Sequence, residues 1–546
     1  MVAFLTAGPR AGVGARSGWA RTAPFLVASA TVLVFWAAVR GTFVNYDDPD
    51  FLIRPFRELG FSSIRGMFTG FYFCNYAPLS LLSLSADFTL WGMNPFGYHL
   101  TNLLLHAANA AVFYLLCLEF FAGGGATGED RWAAAAAALF FSLHPLRVQS
   151  VAWVSERRDV LCGFFFLLSL LFWMRSFRPG RLNGARGRAA ALGSFFLALL
   201  SKAAAVPLPL VLILLDFWPL RRLPASPRRW SASLPLWKEK LPFLALAALF
   251  AALGAAAQAQ GGAVIDLTMA SGVQRANQIG LNLVFYLGKL LWPTDLALYE
   301  WHWEPIRTAV IVGTAATAAL LVVAARFRRL RAPLLSALAY QTVMLAPTLG
   351  FVTIGHEFVA DRYSYLSGLA WALLFGAGLR IIASRHRIAS LILASALLGA
   401  FAAATQAQIP VWANSVSLWK QVVRIDPTTY WARTYLAKSL FGRGRNGEAI
   451  LYLEEQLRLY PQDRVTKKIL DDFVAETRTT VRDHAGFHEQ LGLEFAAQGE
   501  FDKAAWHFER GLRYDPESER LRGELEKARL SSKDARRSWW SRSSRP

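Results

Sequence analysis

The sequence has few cysteines, fewer acidic than basic residues, and none of the short motifs that mark several common enzyme classes. Its three cysteines, Cys74, Cys117 and Cys162, do not make a disulfide framework, and the last two lie inside apolar runs where they would pack as small hydrophobes. No HExxH, P-loop, GxSxG or paired CxxC pattern occurs. These absences argue against several familiar hydrolase, nucleotide-hydrolysing and metal-site classes.

Apolar residues dominate most of the chain. The mean hydropathy over 546 residues is +0.30 and 54% of the residues are hydrophobic, and runs of near membrane-spanning length recur as far as Gln408. The sequence therefore predicts an all-α, polytopic membrane protein surrounded by membrane lipids. The formal charge of +20 does not indicate a nucleic-acid partner, because the arginines are grouped between apolar runs, as in cytoplasmic loops.

The arginine clusters define a topology. Four of them are expected on the cytoplasmic side: 175–188, 221–229, 326–331 and 380–387. An even number of crossings must separate neighbouring clusters, so the segment around Lys202 is predicted to be a tight helical pair or re-entrant hairpin. By the same parity, one of three runs in 241–325 does not cross, and polar residues in 276–292 favour an interfacial amphipathic helix there. The result is about eleven crossings with the N-terminus inside.

A soluble helical-repeat domain is predicted after the membrane core. Pro427 and Pro461 are 34 residues apart, which is the tetratricopeptide period, and a second unit closes at Pro516. The segment before the first unit, SVSLWKQVVRIDP, fits half a unit. The positions expected to pack inside the two units are Leu436, Ala437, Leu440, Ala449, Leu453, Leu491, Gly492, Phe495, Ala504 and Phe508. The topology places these repeats outside the cytoplasmic (inner) membrane, on the periplasmic side.

The predicted organisation therefore has four parts. These are a cytoplasmic N-terminal segment (1–22), a transmembrane core (23–408) whose first outward loop is about 41–97, a tetratricopeptide-repeat α-solenoid (409–525) and a basic disordered tail (526–546).

Two adjacent carboxylates follow the first apolar run, in the stretch NYDDPDFL. Asp47 and Asp48 repel each other, which tends to raise the pKa of one of them, and neither is easily buried beside a membrane without a partner. The pair therefore suits a general base, a metal ligand or both. The alternative is an ordinary exposed turn, since Asp48, Pro49 and Asp50 are common turn formers.

Other polar and ionisable residues are predicted to converge on the same outward face. They are His144, Arg147, Glu156, Arg157, Arg158, Asp159, Lys202, His356, Glu357, Asp361 and Arg362. Arginine forks match phosphate oxygens, so Arg147, Arg157 or Arg158 could hold a lipid phosphate; the alternative is snorkelling or an internal ion pair. Lys202 needs either water or an anionic partner. Asp361 and Arg362 could form a structural ion pair or take part in catalysis.

Several of these stretches together resemble one family. They are NYDD, the segment 75–110, HPLRVQSVAWVSERRDVL, LLSKAAAVPLPLVLILLDFWPL and FVADRYSYL. In this order, and with the C-terminal repeats, they resemble the transmembrane and tetratricopeptide-repeat O-mannosyltransferases, particularly bacterial relatives. The resemblance covers most of the chain.

The resemblance implies a type C glycosyltransferase fold and an outward active site. Asp47 and Asp48 match the family's acidic motif by position, and either would accept a proton from the acceptor hydroxyl during an inverting transfer. The cations implied for the leaving phosphate are Arg147, Arg157, Arg158, Lys202 and Arg362. The implied donor is a polyprenyl-phosphate sugar, mannose or another hexose, and the implied acceptor is an extracytoplasmic protein held by the repeats. No cofactor is certain, and a divalent metal is possible.

Three alternatives remain open at this point. The chain could transfer sugar to a lipid or a cell-wall glycan, or it could be a non-catalytic membrane scaffold that presents its repeats. A transporter fits less well, because the ionisable residues collect at one face instead of the midplane where transporter sites usually lie.

Overall fold

The computed structural model describes residues 19–49, 64–72, 74–122, 126–178, 184–224, 233–262, 272–299, 303–349, 359–477, 481–497 and 499–543. The chain divides into two compact units, Met1–Pro427 and Thr428–Pro546. Helices make up most of both, which confirms the predicted all-α class. In the described residues the β-structure consists of isolated pairing between Tyr72 and Asn75 and a two-residue antiparallel ladder, β1 (Leu298–Tyr299) with β2 (Val359–Ala360).

The α-helices of the first unit are α1 (Trp19–Phe35), α2 (Ile64–Thr69), α3 (Pro78–Trp91), α4 (Pro95–Ala122), α5 (Gly128–Ser142), α6 (Val148–Ala152), α7 (Arg157–Ser176), α8 (Gly184–Ser201), α9 (Leu208–Phe217), α10 (Leu234–Lys238), α11 (Leu241–Gln260), α12 (Gly272–Leu291), α13 (Trp303–Arg326), α14 (Arg328–Leu345), α15 (Ser364–Ser367), α16 (Leu369–Ala383), α17 (Arg387–Gln408) and α18 (Ser415–Ile425). Short 3₁₀ turns join several of them, at Trp36–Arg40, Pro145–Arg147, Val154–Glu156, Ala203–Ala205, Ala346–Thr348, Asp361–Tyr363 and Ile409–Trp412.

Local sequence explains several helix ends. Pro78 occupies the first turn of α3, where a missing N–H costs nothing, and Gly92 ends the helix with φ of 58°. Thr127 begins α5 with a capping box, since its side chain accepts from the Asp130 N–H while the Asp130 carboxylate accepts from Thr127 N (2.9 Å). These caps fix where the apolar helices start and stop.

Six helices in the described part of the chain are long and apolar enough to cross a membrane: Thr22–Arg40, Pro95–Ala122, Val154–Ser176, Leu241–Gln260, Ile306–Arg326 and Arg387–Trp412. A bent pair, Asp361–Ser367 with Leu369–Ala383, brings the number to seven if it forms one broken span. The multi-spanning character is confirmed. The total of about eleven crossings stays a prediction.

Two segments of the predicted topology can be compared with the structure. The helix breaks at Lys202 as predicted, between α8 and α9. For α12 the sequence predicts an interfacial amphipathic helix; Asn277 is exposed, but Gln278, Asn282 and Lys289 are buried in the protein. The Lys289 ammonium donates to the Thr294 carbonyl (2.6 Å), so its polar demand is met inside the protein.

The second unit consists of helices α19 (Ala432–Phe441), α20 (Asn446–Leu459), α21 (Arg464–Thr477), α22 (Val481–Ala497), α23 (Phe501–Tyr514) and α24 (Glu519–Ser543). The positions predicted to pack in the first repeat are all fully buried: Leu436, Ala437, Leu440, Ala449 and Leu453. In the second repeat Ala504 and Phe508 are buried, and Phe508 lies against Gly492, where any side chain would collide with its ring. The pattern is that of stacked helical hairpins.

The C-terminal end differs from the prediction of a disordered tail from 526. Helix α24 continues to Ser543, because Leu521 and Ala528 are buried against the preceding helices and Lys527 pairs with Glu524 one turn away (2.8 Å). The last residues, 544–546, lie outside the described part.

The boundary between membrane core and repeats also differs from the prediction. Residues 409–425, called here the connector, were assigned to the repeat domain, but they belong to the first unit. Their buried side chains are apolar: Ile409, Trp412, Val416, Leu418, Trp419 and Val422. Backbone pairing adds to this packing, since Thr42 N donates to the Ala413 carbonyl (2.8 Å). The connector is therefore part of the core, beside the loop that carries Asp47 and Asp48.

Candidate active site

Four separate chain segments bring charged residues into contact. The loop after the first helix supplies Asp47 and Asp48, and the turn and first residues of α7 supply Glu156, Arg158 and Asp159. The break between α8 and α9 supplies Lys202, and the turn after β2 supplies Arg362. The predicted convergence of these segments is thus seen in the contacts described below.

Asp48 is fully buried and is held by the turn that precedes α7. Its carboxylate accepts from Val44 N (2.8 Å), from Ser155 N (3.1 Å) and from the Ser155 hydroxyl (2.5 Å). Burial raises the pKa of Asp48 to about 6, against the hydrogen bonds from Ser155 and Val44, which lower it. Its geometry anchors the loop, because both oxygens point at protein donors.

Asp47 has a different environment. Its carboxylate lies 3.3 Å from the Arg158 guanidinium, and 16% of the side chain is exposed, whereas Asp48 has no exposed surface. The two adjacent carboxylates are thus distinguished by access: Asp47 can meet a ligand, and Asp48 cannot without movement of the loop.

Asp47 is one member of a charge cluster, which consists of Asp47, Glu156, Arg158, Asp159, Lys202 and Arg362. Glu156 is at its centre, 3.1 Å from Arg158, 2.7 Å from Lys202 and 3.4 Å from Arg362. Asp159 accepts from the Lys202 ammonium (2.7 Å) and from the Ser150 hydroxyl (2.8 Å). Three carboxylates thus oppose three cations, and the cluster is formally neutral.

Access to the charge cluster is uneven. The Glu156 side chain is 1% exposed, while those of Lys202 and Arg362 are 18% and 12% exposed. These two cations and Asp47 are its most exposed members, and the three are called here its accessible side. A ligand approaching from solvent would meet one carboxylate and two cations first, which is an arrangement that can hold an anion beside a base.

Arg157 was predicted as a phosphate ligand, but the structure uses it elsewhere. Its guanidinium pairs with Asp87 (2.6 Å), donates to the Ser83 hydroxyl (2.7 Å) and the Tyr98 carbonyl (2.9 Å), and also contacts Asn102. The side chain is fully buried. Arg157 therefore joins α7 to the preceding helices, and we leave it out of the candidate phosphate site.

His144 and Arg147 are also buried away from the accessible side. His144 Nε2 contacts the Leu290 carbonyl (3.0 Å), which gives it a structural role. Arg147 donates to the Ser364 hydroxyl (2.9 Å) and lies 5.5 Å from the centroids of Phe141 and Tyr365. Such a cation over aromatic faces is stabilised within the protein.

The remaining predicted site residues divide into two groups. Asp361 is buried immediately before Arg362, and its carbonyl accepts from the Ser364 hydroxyl (2.6 Å), so it supports the turn that carries Arg362. His356 and Glu357 lie outside the described residues. Among the residues that are described, no group of three or more histidine, cysteine or acidic side chains is arranged to hold a metal ion.

Sequence reasoning missed Ser155 and the connector. Ser155 binds Asp48 through both its hydroxyl and its N–H, yet a lone serine carries little signal; its place directly before Glu156 in the charged segment was the only clue. The connector residue Trp419 donates to the Asn45 side-chain oxygen (2.7 Å). A periodic pattern that suited a half-repeat concealed this second role.

Comparison with known proteins adds independent information. No protein-family model matches the chain. Human protein O-mannosyl-transferase TMTC1 is 25% identical over 495 residues, covering 80% of this chain and 55% of the human protein. Protein O-mannosyl-transferase tmtc2 of Xenopus laevis is 40% identical over 101 residues, covering 18% of this chain and 11% of that protein. Human protein O-mannosyl-transferase TMTC4 is 29% identical over 184 residues, 31% of this chain and 24% of that one.

These matches confirm the resemblance seen in the sequence. The chain spans about half the length of the human relative that it matches most extensively here, and less of the others. Among solved structures, ArnT from Cupriavidus metallidurans bound to undecaprenyl phosphate is similar with a TM-score of 0.38 and 15% identity, covering 87% of this chain and 81% of that chain.

Proposed function

We propose that this chain is a membrane glycosyltransferase that moves a sugar, mannose or another hexose, from a polyprenyl-phosphate donor to hydroxyl groups of extracytoplasmic proteins. The observation that carries this proposal is the accessible side of the charge cluster, where Asp47, Lys202 and Arg362 are the most exposed members of one connected set of ion pairs. The similarity to O-mannosyl-transferases over 80% of the chain supports the same class of reaction.

Asp47 is the proposed general base. It is the member of the acidic pair with exposed surface, and its ion pair with Arg158 fixes its position. In the reaction the acceptor oxygen attacks the anomeric carbon, its proton moves to Asp47, and the bond from that carbon to the phosphate oxygen breaks, with inversion. Asp48 is the proposed positioning residue, since its hydrogen bonds to Ser155 and Val44 hold the loop.

Lys202 and Arg362 are the proposed ligands of the donor phosphate, with Arg158 behind them. A sugar phosphodiester carries one negative charge and the departing polyprenyl phosphate carries two when fully ionised, so the cations act most strongly on the leaving group. Because the charge cluster is already neutral, a phosphate must take the place of a carboxylate as partner of Lys202. Asp159 is the proposed carboxylate that yields, since Glu156 retains Arg158 and Arg362.

The repeat unit is the proposed holder of the acceptor protein. Its stacked helices follow the tetratricopeptide pattern, and such stacks form elongated binding surfaces. We propose a periplasmic location for this unit, outside an inner membrane, as the sequence topology predicts.

The test uses the full chain purified in lipid nanodiscs, with polyprenyl-phosphate mannose and peptides from secreted proteins. We expect transfer by the wild type and a loss of at least about 100-fold in Asp47→Asn, since the base is removed. Glu129→Gln is the control, because this carboxylate is exposed on α5, outside both the charge cluster and the repeat unit.

Cells provide the complementary measurement. Mass spectrometry of extracytoplasmic proteins from cells lacking the chain should recover hexose-bearing peptides after complementation with wild type and not with Asp47→Asn. If the sugar is found instead on a lipid or a wall glycan, the proposed protein acceptor is wrong. Full complementation by Asp47→Asn would contradict catalysis and support a scaffold.

A further inference from the structure

We propose that Trp419, in the connector, is a positioning residue for catalysis, because it holds the Asp47 loop in place through the side chain of Asn45. The inference rests on the proposed function, in which Asp47 is the base. It goes further by assigning a catalytic duty to the segment that directly precedes the repeat unit in the chain.

The contact between Trp419 and Asn45 is specific. The indole N–H donates to the Asn45 side-chain oxygen at 2.7 Å, and Trp419 has no exposed surface. Asn45 N donates in turn to the Ser415 hydroxyl at 2.9 Å, one turn earlier on α18. Asn45 is thus held by its backbone and by its side chain to the same helix face.

A third hydrogen bond fixes the chain just before Asn45. Thr42 N donates to the Ala413 carbonyl at 2.8 Å. The connector therefore determines the path of residues 42–45, and Asp47 follows only two residues later. At roughly 3.5 Å per residue, a shift of Asn45 is passed to Asp47 with little chain in which to absorb it. A displacement of about 1 Å at a reacting group can cost on the order of 100-fold in rate.

Aromatic packing extends this support to the other segments of the site. The Tyr46 ring lies between Trp419 (5.6 Å between centroids) and Trp153 (5.4 Å). Trp153 stacks on Trp412 of the connector at 5.3 Å and lies 5.5 Å from the Arg362 guanidinium. The connector thus contacts residues that adjoin the acidic pair, Ser155 and Arg362 at once.

Packing alone does not account for the arrangement. A buried indole contributes its apolar area anywhere in a core, but its N–H requires a partner. Here that partner is a side chain of the catalytic loop instead of a nearby carbonyl of the connector's own helix. The geometry therefore couples the two segments by a directional bond, which a phenyl ring of similar shape could not make.

The test compares Trp419→Phe with Trp371→Phe. Trp371 is a matched control, because its indole N–H donates to the amide oxygen of Gln341 (2.5 Å) on helices that contribute nothing to the charge cluster. Trp419→Phe should lower kcat about 5- to 20-fold, as expected for one lost hydrogen bond and a loosened base, with the donor KM within about twofold of wild type. Trp371→Phe should leave kcat within about twofold.

A double-mutant cycle identifies the route. Asn45→Ala should lower kcat by a similar factor, and Trp419→Phe combined with Asn45→Ala should be no worse than either single change, because both remove one bond. The proposal is overturned if the two single effects on kcat multiply in the double variant. It is also overturned if Trp419→Phe leaves kcat unchanged or changes only the donor KM.

Hydrogen exchange separates this inference from the proposed function. In Trp419→Phe, peptides covering residues 42–48 should exchange about tenfold faster than in wild type, while Trp371→Phe leaves them unchanged. Faster exchange supports the positioning role whatever reaction the wild type catalyses. If the wild type transfers no sugar, the proposed function fails; if exchange is also unaltered, the positioning inference fails with it.

Discussion

Replacing Asp48 by Asn should remove a loss of stability that the wild type undergoes as the pH rises to neutral, and it should lower activity. Burial raises the pKa of Asp48 from its ordinary 3.8 to about 6. In the unfolded chain this carboxyl loses its proton near pH 4, whereas in the folded protein it keeps the proton until about pH 6. The wild type is therefore most stable below pH 4 with respect to this group, and it loses that stability as the pH rises through 6.

The magnitude follows from the difference in pKa. About two units correspond to about 3 kcal/mol of unfavourable ionisation above pH 6.5. Asparagine resembles the protonated carboxyl in shape and does not ionise, but its NH2 group leaves one backbone donor without an acceptor at every pH, which costs about 1–3 kcal/mol. The stability of Asp48→Asn relative to the wild type should therefore be lowest near pH 4 and rise by up to about 3 kcal/mol by pH 7.5. In apparent Tm this is an increase of a few degrees.

The activity of Asp48→Asn should fall. The amide offers one acceptor oxygen where the carboxylate offers two, so Val44 N or Ser155 N loses its partner and the loop loosens. We expect kcat to fall about tenfold, and the acid limb near pH 6 in the wild-type rate profile to disappear.

The assay is a pair of thermal melts in nanodiscs, at pH 4.5 and 7.5, for wild type, Asp48→Asn and the exposed control Asp471→Asn. The reasoning is refuted if the Tm difference between Asp48→Asn and wild type is the same at both pH values. It is equally refuted if Asp471→Asn shows the same pH-dependent gain.

Three further predictions concern other residues. Asp159→Asn frees Lys202 from one partner and should tighten polyprenyl-phosphate binding about fivefold in a titration; weaker binding would contradict the exchange of partners. Arg157→Met leaves Asp87 buried and unpaired and should cost about 3–5 kcal/mol, seen as a large fall in Tm for a variant that still binds donor. Burial lowers the pKa of His507 to about 4, so the stability of the second unit should be constant above pH 6.5 and should decline by up to about 3 kcal/mol towards pH 4. Hydrogen exchange of residues 501–514 in the full chain measures this stability. Protection of these residues that does not change with pH would refute the prediction.

The sequence predicts that the charged segments converge on one face, but it does not predict which of their side chains form ion pairs. Each charged segment interrupts an apolar run, so topology alone brings the segments to one face. Arg157 and Arg158 are neighbours, however, and successive residues on a helix point about 100° apart. The Arg157 guanidinium therefore reaches Asp87 and the Arg158 guanidinium reaches Asp47. The sequence alone does not indicate which arginine takes which partner.

The boundary between the membrane core and the repeat unit could not be predicted from sequence for a similar reason. The period ending at Pro427 fits half a tetratricopeptide unit, and the apolar face of α18 would suit a neighbouring repeat equally well. What that face packs against is decided by long-range contacts such as Trp419 with Asn45, between residues far apart in the chain. Periodicity predicted the helix and its buried side correctly, and could not identify the partner.

The buried charges also bear on the choice between an enzyme and a scaffold. Taking three carboxylates and three cations out of water is expensive, and well-packed apolar side chains of similar volume are often as stable or more stable. A scaffold that only displays repeats has no use for such a cluster. The most exposed members are Asp47, Lys202 and Arg362, at 16%, 18% and 12% of their side chains, while Glu156 is only 1% exposed. That asymmetry is what a site needs in order to offer a base and two cations to a ligand, and it favours catalysis over presentation.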